Sequence, residues 1–271
     1  MFSFLEKVVL ITGASEGIGR ALALALAPLR PKLVLIARNE ERLQEVASEC
    51  EQCGAATCVV PADITEEQAC RQVIDRAVGA YGGVDVLVNN AGMAMRSTFE
   101  ETSDLSIFEY LMKLNYLSGV YCTKYALPYL KEAKGQIVAI SSVAGLTGVP
   151  TRTGYAASKH AMIGFFESLR IELAETGVTV TIVAPDYVQS QIHERSFDAH
   201  GHHIGINPAN RHTYLTAEAC AAMIVKAMEK RQRLLVTSWR GRLGRIVRTI
   251  LPTVIDGIAK KAVEEEMDRK N

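Results

Sequence analysis

The sequence lacks an excess of charge of either sign: across 271 residues, 30 Lys and Arg balance 30 Asp and Glu. That argues against a dedicated nucleic-acid binder, whose surface is usually strongly basic. The chain also lacks any uninterrupted apolar run near the roughly 20 residues that a bilayer-crossing helix requires. Its opening, Met1-Phe2-Ser3-Phe4-Leu5-Glu6-Lys7, has neither the basic start nor the long apolar core of a signal peptide. Glycine and proline, at 20 and 8, are too sparse for a collagen-like or mucin-like chain. With 48% hydrophobic residues and no net charge, the composition is not that of a disordered chain. The cysteines (Cys50, Cys53, Cys58, Cys70, Cys122 and Cys220) are scattered in a chain too long to need stapling. They are expected to be reduced, and the protein cytoplasmic. Cys50-x-x-Cys53 has no second ligand pair and closes a Glu-rich helix, so it reads as an ordinary helix end.

What is present is an alternation of short apolar runs with helical stretches. Strands are expected at Val8–Thr12, Leu33–Ala37, Ala56–Val60, Val84–Asn89, Gln136–Ser141, Val178–Val183 and Leu234–Thr237. Helices are expected at Ala21–Ala27, Glu40–Cys53, Glu66–Tyr81, about Leu105–Leu130, Thr153–Glu175 and Ala217–Arg231, with a mostly helical tail broken near Pro252. This order implies a doubly wound, mostly parallel α/β sheet covered by helices on both faces. Residues 1–240 read as one catalytic domain and 241–271 as its basic helical extension. Residues 186–214 are polar, His-rich and aperiodic, which suggests a substrate lid.

The first strand runs into Thr12-Gly13-Ala14-Ser15-Glu16-Gly17-Ile18-Gly19 and then a helix. Glycines let backbone amides approach a pyrophosphate, and the helix N-terminus favours its charge. The second strand ends Ala37-Arg38-Asn39, without the acid that would bond the ribose hydroxyls of NAD. Arg38 would instead pair with a 2′-phosphate, so the expected cofactor is NADP(H), although the acid Glu16 opposes this. Tyr155 and Lys159 lie four apart on one helix face. A nearby cation would lower the phenol's pKa toward the working range. Ser142 ends the fifth strand, where ligands of a parallel sheet gather.

Together Thr12–Gly19, Asn89-Asn90-Ala91-Gly92, Asn115, Ser142 and Tyr155-x-x-x-Lys159 resemble the short-chain dehydrogenase/reductase family, over about residues 5–240. The resemblance implies a single Rossmann-type domain with seven strands. It implies that Tyr155 moves the proton, Ser142 bonds the substrate oxygen, and Lys159 binds the nicotinamide ribose. Asn115 would hold a relay water. Gly13, Ser15, Glu16, Gly17, Ile18 and Gly19 would cradle the cofactor, with Asp63, Ile64, Asn90, Ala91, Gly92, Pro185, Val188 and Ser190 along its length and Asn89 mainly structural. One departure stands out: Asp186 follows Pro185 where the family usually has glycine, and its side chain is expected to crowd the nicotinamide or reach substrate.

Pro185–Arg195 and the basic tail also resemble reductases related to dehydrogenase/reductase member 7 and its bacterial relatives. That implies a small lipophilic carbonyl or alcohol as substrate: a steroid, retinoid or long-chain ketone. A 3-oxoacyl thioester reductase and a non-catalytic NADP-binding regulatory protein are the alternatives. The resemblance also suggests a homodimer or homotetramer. His193, His200, His202, His203 and His212 crowd the lid without the fixed geometry of a metal site, so no metal is expected. Residues 230–251 carry seven Lys and Arg and no acid, interleaved with Trp239, Leu243, Ile246, Val247, Ile250 and Leu251. Such a segment suits either an anionic membrane surface, to which the protein would then be peripheral, or a C-terminal helix packed on the domain or a partner subunit with its arginines solvated.

Overall fold

The computed structural model describes residues 1–192, 194–205 and 214–267, the last six by backbone alone. The strands are β1 (Val8–Thr12), β2 (Lys32–Ala37), β3 (Ala56–Pro61), β4 (Val86–Asn89), β5 (Gln136–Ile140), β6 (Thr179–Ala184) and β7 (Leu234–Val236). They form one sheet in the order β3-β2-β1-β4-β5-β6-β7, and every pairing is parallel. The order reverses between β1 and β4, which opens a crevice at the carboxyl ends of those strands.

Side-chain alternation explains the layering. In β1, Val9 and Ile11 face one core, and Val8 and Leu10 the other. The first core is closed by α1 (Gly17–Leu26), α2 (Glu40–Gln52) and α7 (Ala217–Glu229), through Leu22, Leu26, Leu43, Val46, Ile224 and Met228. The second is closed by α3 (Glu67–Tyr81), α5 (Ser118–Glu132) and α6 (Thr153–Glu172), through Ile74, Cys122, Leu130, Met162 and Phe166. Strands buried on both faces read as continuous apolar runs, which is why they were legible.

The expected long helix at 105–130 is not uniform. It comprises α4 (Ser106–Met112), a π-helical turn (Lys113–Leu117) and α5. Such turns often occur at functional sites, and this one carries the buried Asn115. The tail forms α8 (Trp239–Ile250) and α9 (Pro252–Met267), separated at Pro252. No residue of α8 is buried. Among the described residues, no helix is long and apolar enough to cross a membrane. All six cysteines are free, and burial raises Cys50 to about 12.

Candidate active site

A cavity of about 400 Å³ lies at the carboxyl ends of the strands. Gly13, Ser15, Glu16, Gly17 and Ile18 line one end of it. Gly13 and Gly17 have φ of +67° and +55°, conformations a side chain rarely adopts. Gly19 does not line the cavity; a Cβ there would lie 2.2 Å from the Gly13 carbonyl oxygen. Its role is to let α1 close on the turn. Asn90 fastens that turn, donating from Nδ2 to the Thr12 carbonyl at 2.8 Å and the Gly13 carbonyl at 3.2 Å. Asn89 bonds Thr123 within the core instead. The residues suit a dinucleotide: the N-cap Glu16 makes no side-chain cap, which leaves the first amides of α1 without a side-chain acceptor beside the glycine-lined wall.

At the end of β2, Arg38 is exposed and reaches Tyr110 Oη at 3.4 Å. Glu16, expected to repel a phosphate, is itself held by two arginines: Arg42 at 3.0 Å and Arg195 at 2.7 Å. Neither arginine was singled out from sequence. Arg42 lies one turn into α2 and Arg195 far away in the lid, so only the fold joins them to Glu16. Asp63 and Ile64 line the same cavity, with the Asp63 carboxylate accepting from Thr65 N at 3.1 Å. Ala91, Gly92, Pro185, Val188 and Ser190 line it as well.

Ser142, Tyr155 and Lys159 meet at the other end. Ser142 caps a short 3-10 turn, and Tyr155 and Lys159 project from α6. Both α6 side chains are buried. Burial pushes the Tyr155 phenol above its ordinary value; the Ser142 hydrogen bond and the Arg152 charge oppose that, and Tyr187 adds to it. The expected helper was Lys159. Its Nζ donates to the Ile140 carbonyl at 2.9 Å and lies over the Tyr155 ring, 5.9 Å from its centre. Burial lowers the Lys159 ammonium to about 8. The Arg152 charge, which the motif did not point to, also bears on the phenol.

Asn115 lies behind this wall and does not line the cavity. Its amide accepts from Met93 N at 2.8 Å and donates to Met93 O at 2.9 Å and Ser158 Oγ at 2.8 Å. A Cβ on Gly92 would lie 3.1 Å from Asn115 Oδ1 and 3.3 Å from Lys159 Nζ. Glycine thus keeps a gap open between those two polar atoms.

Asp186 has a structural employment that the sequence did not reveal. Its carboxylate accepts from Ser238 Oγ at 2.5 Å and from Tyr187 N at 3.0 Å, while its own N–H donates to Thr237. Ser238 caps α8, accepting from Gly241 N at 2.9 Å. The residue in place of the family's glycine thus ties β6 to the basic tail, although it still borders the cavity.

The described part of the segment after β6 folds back beside the site. Phe197 bridges to Met95, and with Ile192 it packs against a cluster of Met93, Met95, Leu111 and Tyr155. His203 stacks on Phe197, and His200 bonds Ser103. His193 and His212 lie outside the described residues. Ile192 and Phe197 of this segment thus form an apolar wall beside Tyr155.

The short chain dehydrogenase family model matches residues 7–201. An 11-beta-hydroxysteroid dehydrogenase of Pinus massoniana is 35% identical over 257 residues, covering 92% of this chain and 72% of that protein. A dehydrogenase/reductase SDR family protein 7-like protein of Dictyostelium discoideum is 34% identical over 265 residues, covering 96% and 82%. Among solved structures, a short chain dehydrogenase/reductase from Burkholderia phymatum in complex with NAD superposes with a TM-score of 0.83 at 27% identity, covering 94% of this chain and 96% of that one. An alcohol dehydrogenase from Thermococcus sibiricus complexed with 5-hydroxy-NADP gives 0.74 at 26% identity, covering 85% and 94%. The chain therefore belongs to the short-chain dehydrogenase/reductase family and is an oxidoreductase acting on alcohol or carbonyl groups.

Proposed function

We propose that the protein is an NADP(H)-dependent reductase of lipophilic ketones or aldehydes. The observation that carries the cofactor choice is the neutralised Glu16. With Arg42 and Arg195 both on its carboxylate, and Arg38 exposed at the end of β2, the adenosine end offers a net positive setting for a 2′-phosphate. The substrate class rests on the apolar wall of Met93, Val149 and Ile192 near Tyr155. It also rests on relatives named as 11-beta-hydroxysteroid dehydrogenases.

The bound nicotinamide would supply the hydride. Tyr155 gives its phenolic proton to the carbonyl oxygen, with Ser142 sharing a hydrogen bond to that oxygen. Burial keeps the phenol protonated, which suits a proton donor. Lys159 would hold the nicotinamide ribose, and the space beside Gly92 between its Nζ and Asn115 Oδ1 is where a relay water would fit. The lid wall excludes bulk water from the reacting atoms. The test is oxidation of NADPH and NADH against steroid, retinoid, long-chain keto and keto-thioester substrates. Turnover with NADPH is expected to vanish in Tyr155→Phe while NADPH binding persists. Arg38→Asp is expected to shift preference toward NADH, and an unaltered ratio would refute the phosphate assignment.

The tail adds a membrane reading. Trp239, Leu243, Ile246 and Ile250 of α8 are all exposed, beside Arg240, Arg242, Arg245 and Arg248. That pattern suits an anionic lipid surface through which a lipophilic substrate arrives. Salt-sensitive co-sedimentation with anionic but not neutral vesicles is the expected result; its absence refutes the reading.

A further inference from the structure

Arg152 was not among the residues expected to hold the cofactor or move the proton. It is the N-cap of α6, three residues before Tyr155, and it borders the cavity. It is only 8% exposed. None of the ion pairs among the described residues includes it. Its guanidinium lies 5.6 Å from the centre of the Tyr187 ring, and Tyr187 stacks on Tyr214 with centroids 5.1 Å apart.

An arginine cannot escape burial by losing its proton. A buried charge without an opposite charge is costly, and an aromatic face offsets only part of that cost. Two other cavity arginines, Arg42 and Arg195, already have Glu16 as a partner. The same cavity is lined by the apolar Ala144, Val149 and Ile192, and by Asp186, whose carboxylate is already held by Ser238 and Tyr187 N. A ligand filling this end would therefore meet apolar side chains and, in Arg152, a planar cationic fork. That fork matches a carboxylate in a two-point contact.

We propose that Arg152 binds a carboxylate on the substrate, so that the substrate is a lipophilic keto acid whose carbonyl sits at Ser142 and Tyr155. This rests on the carbonyl-reductase reading and narrows its substrate class. Arg152 is here a specificity residue, and its charge also reaches the Tyr155 phenol.

The experiment compares keto acids of graded length with their methyl esters, using NADPH and the full-length protein. Wild type is expected to favour each acid over its ester by about 30-fold or more in kcat/KM, chiefly through KM, the scale for removing one partner of a buried charge pair. In Arg152→Gln the ratio is expected to fall near one; Arg152→Lys should restore part of it. Esters reduced as well as acids by wild type would overturn the proposal, as would a preference that persists in Arg152→Gln. The NADPH dissociation constant of each variant is measured by fluorescence. A loss confined to NADPH affinity, with the acid–ester ratio unchanged, would assign the guanidinium to the cofactor's phosphates and overturn the proposal. Calorimetric binding of acid and ester to Tyr155→Phe loaded with NADP makes the same comparison without turnover. If no carbonyl is reduced, the reductase reading fails, and this binding comparison still decides for or against Arg152. Should Arg152→Gln not fold, the acid–ester comparison in wild type decides.

Discussion

Replacing Lys159 by methionine is expected to abolish turnover while stabilising the cofactor-free protein. The ammonium is buried and releases its proton at about 8 instead of 10.5. That difference corresponds to about 3 kcal/mol against folding with the lysine charged. Methionine fills similar space without the charge, but it strands the Ile140 carbonyl that Nζ now satisfies, which costs about 1 kcal/mol. The net gain at pH 7 is about 2 kcal/mol. The pH dependence makes the test specific. Between about 8 and 10.5 the unfolded lysine holds a proton that the folded one has lost, so wild-type stability rises with pH there. By pH 9.5 wild type should recover about 2 kcal/mol relative to the variant, which has no such group. Staying below about pH 10 keeps tyrosine titration in the unfolded chain out of the comparison. Urea unfolding of both proteins at pH 7 and 9.5 measures it. A stability gap that is the same at both values would refute the buried-ammonium reasoning.

Gly19→Ala should place a Cβ against the Gly13 carbonyl, costing about 1–3 kcal/mol and weakening NADPH binding at least tenfold; calorimetry of the variant checks both. Asp186→Gly should release Ser238 and loosen α8, lowering stability by about 1–2 kcal/mol while hydrogen exchange quickens in Trp239–Ile250. Catalysis in that variant should persist, and its complete loss would give Asp186 a chemical role instead. Glu16→Gln should leave Arg42 and Arg195 less committed and tighten NADPH relative to NADH, as read by paired dissociation constants.

Much of the molecule was legible before its fold. The strands β1, β2, β4, β5 and β6 announce themselves because burial on both faces demands unbroken apolar runs. The glycine turn was legible because backbone conformations such as that of Gly13 exclude side chains. Tyr155 and Lys159 were legible because helical spacing puts them on one face. Other features were hidden. The π turn at Lys113–Leu117 leaves no periodic signature in five residues. Arg42 and Arg195 have nothing in common until the lid reaches the phosphate turn. Ser238 gives no sign locally that Asp186 will be its partner.

The sequence by itself determined the doubly wound sheet, the glycine turn and the placing of Tyr155 and Lys159 on one helix face, because each follows from local periodicity, backbone sterics or short spacing. The tertiary structure alone decided the electrostatics: which arginines neutralise Glu16, and where, among the described residues, a buried Arg152 lies outside every ion pair. Those depend on distances between residues far apart in the chain and on the exclusion of water around them, and no local pattern encodes either.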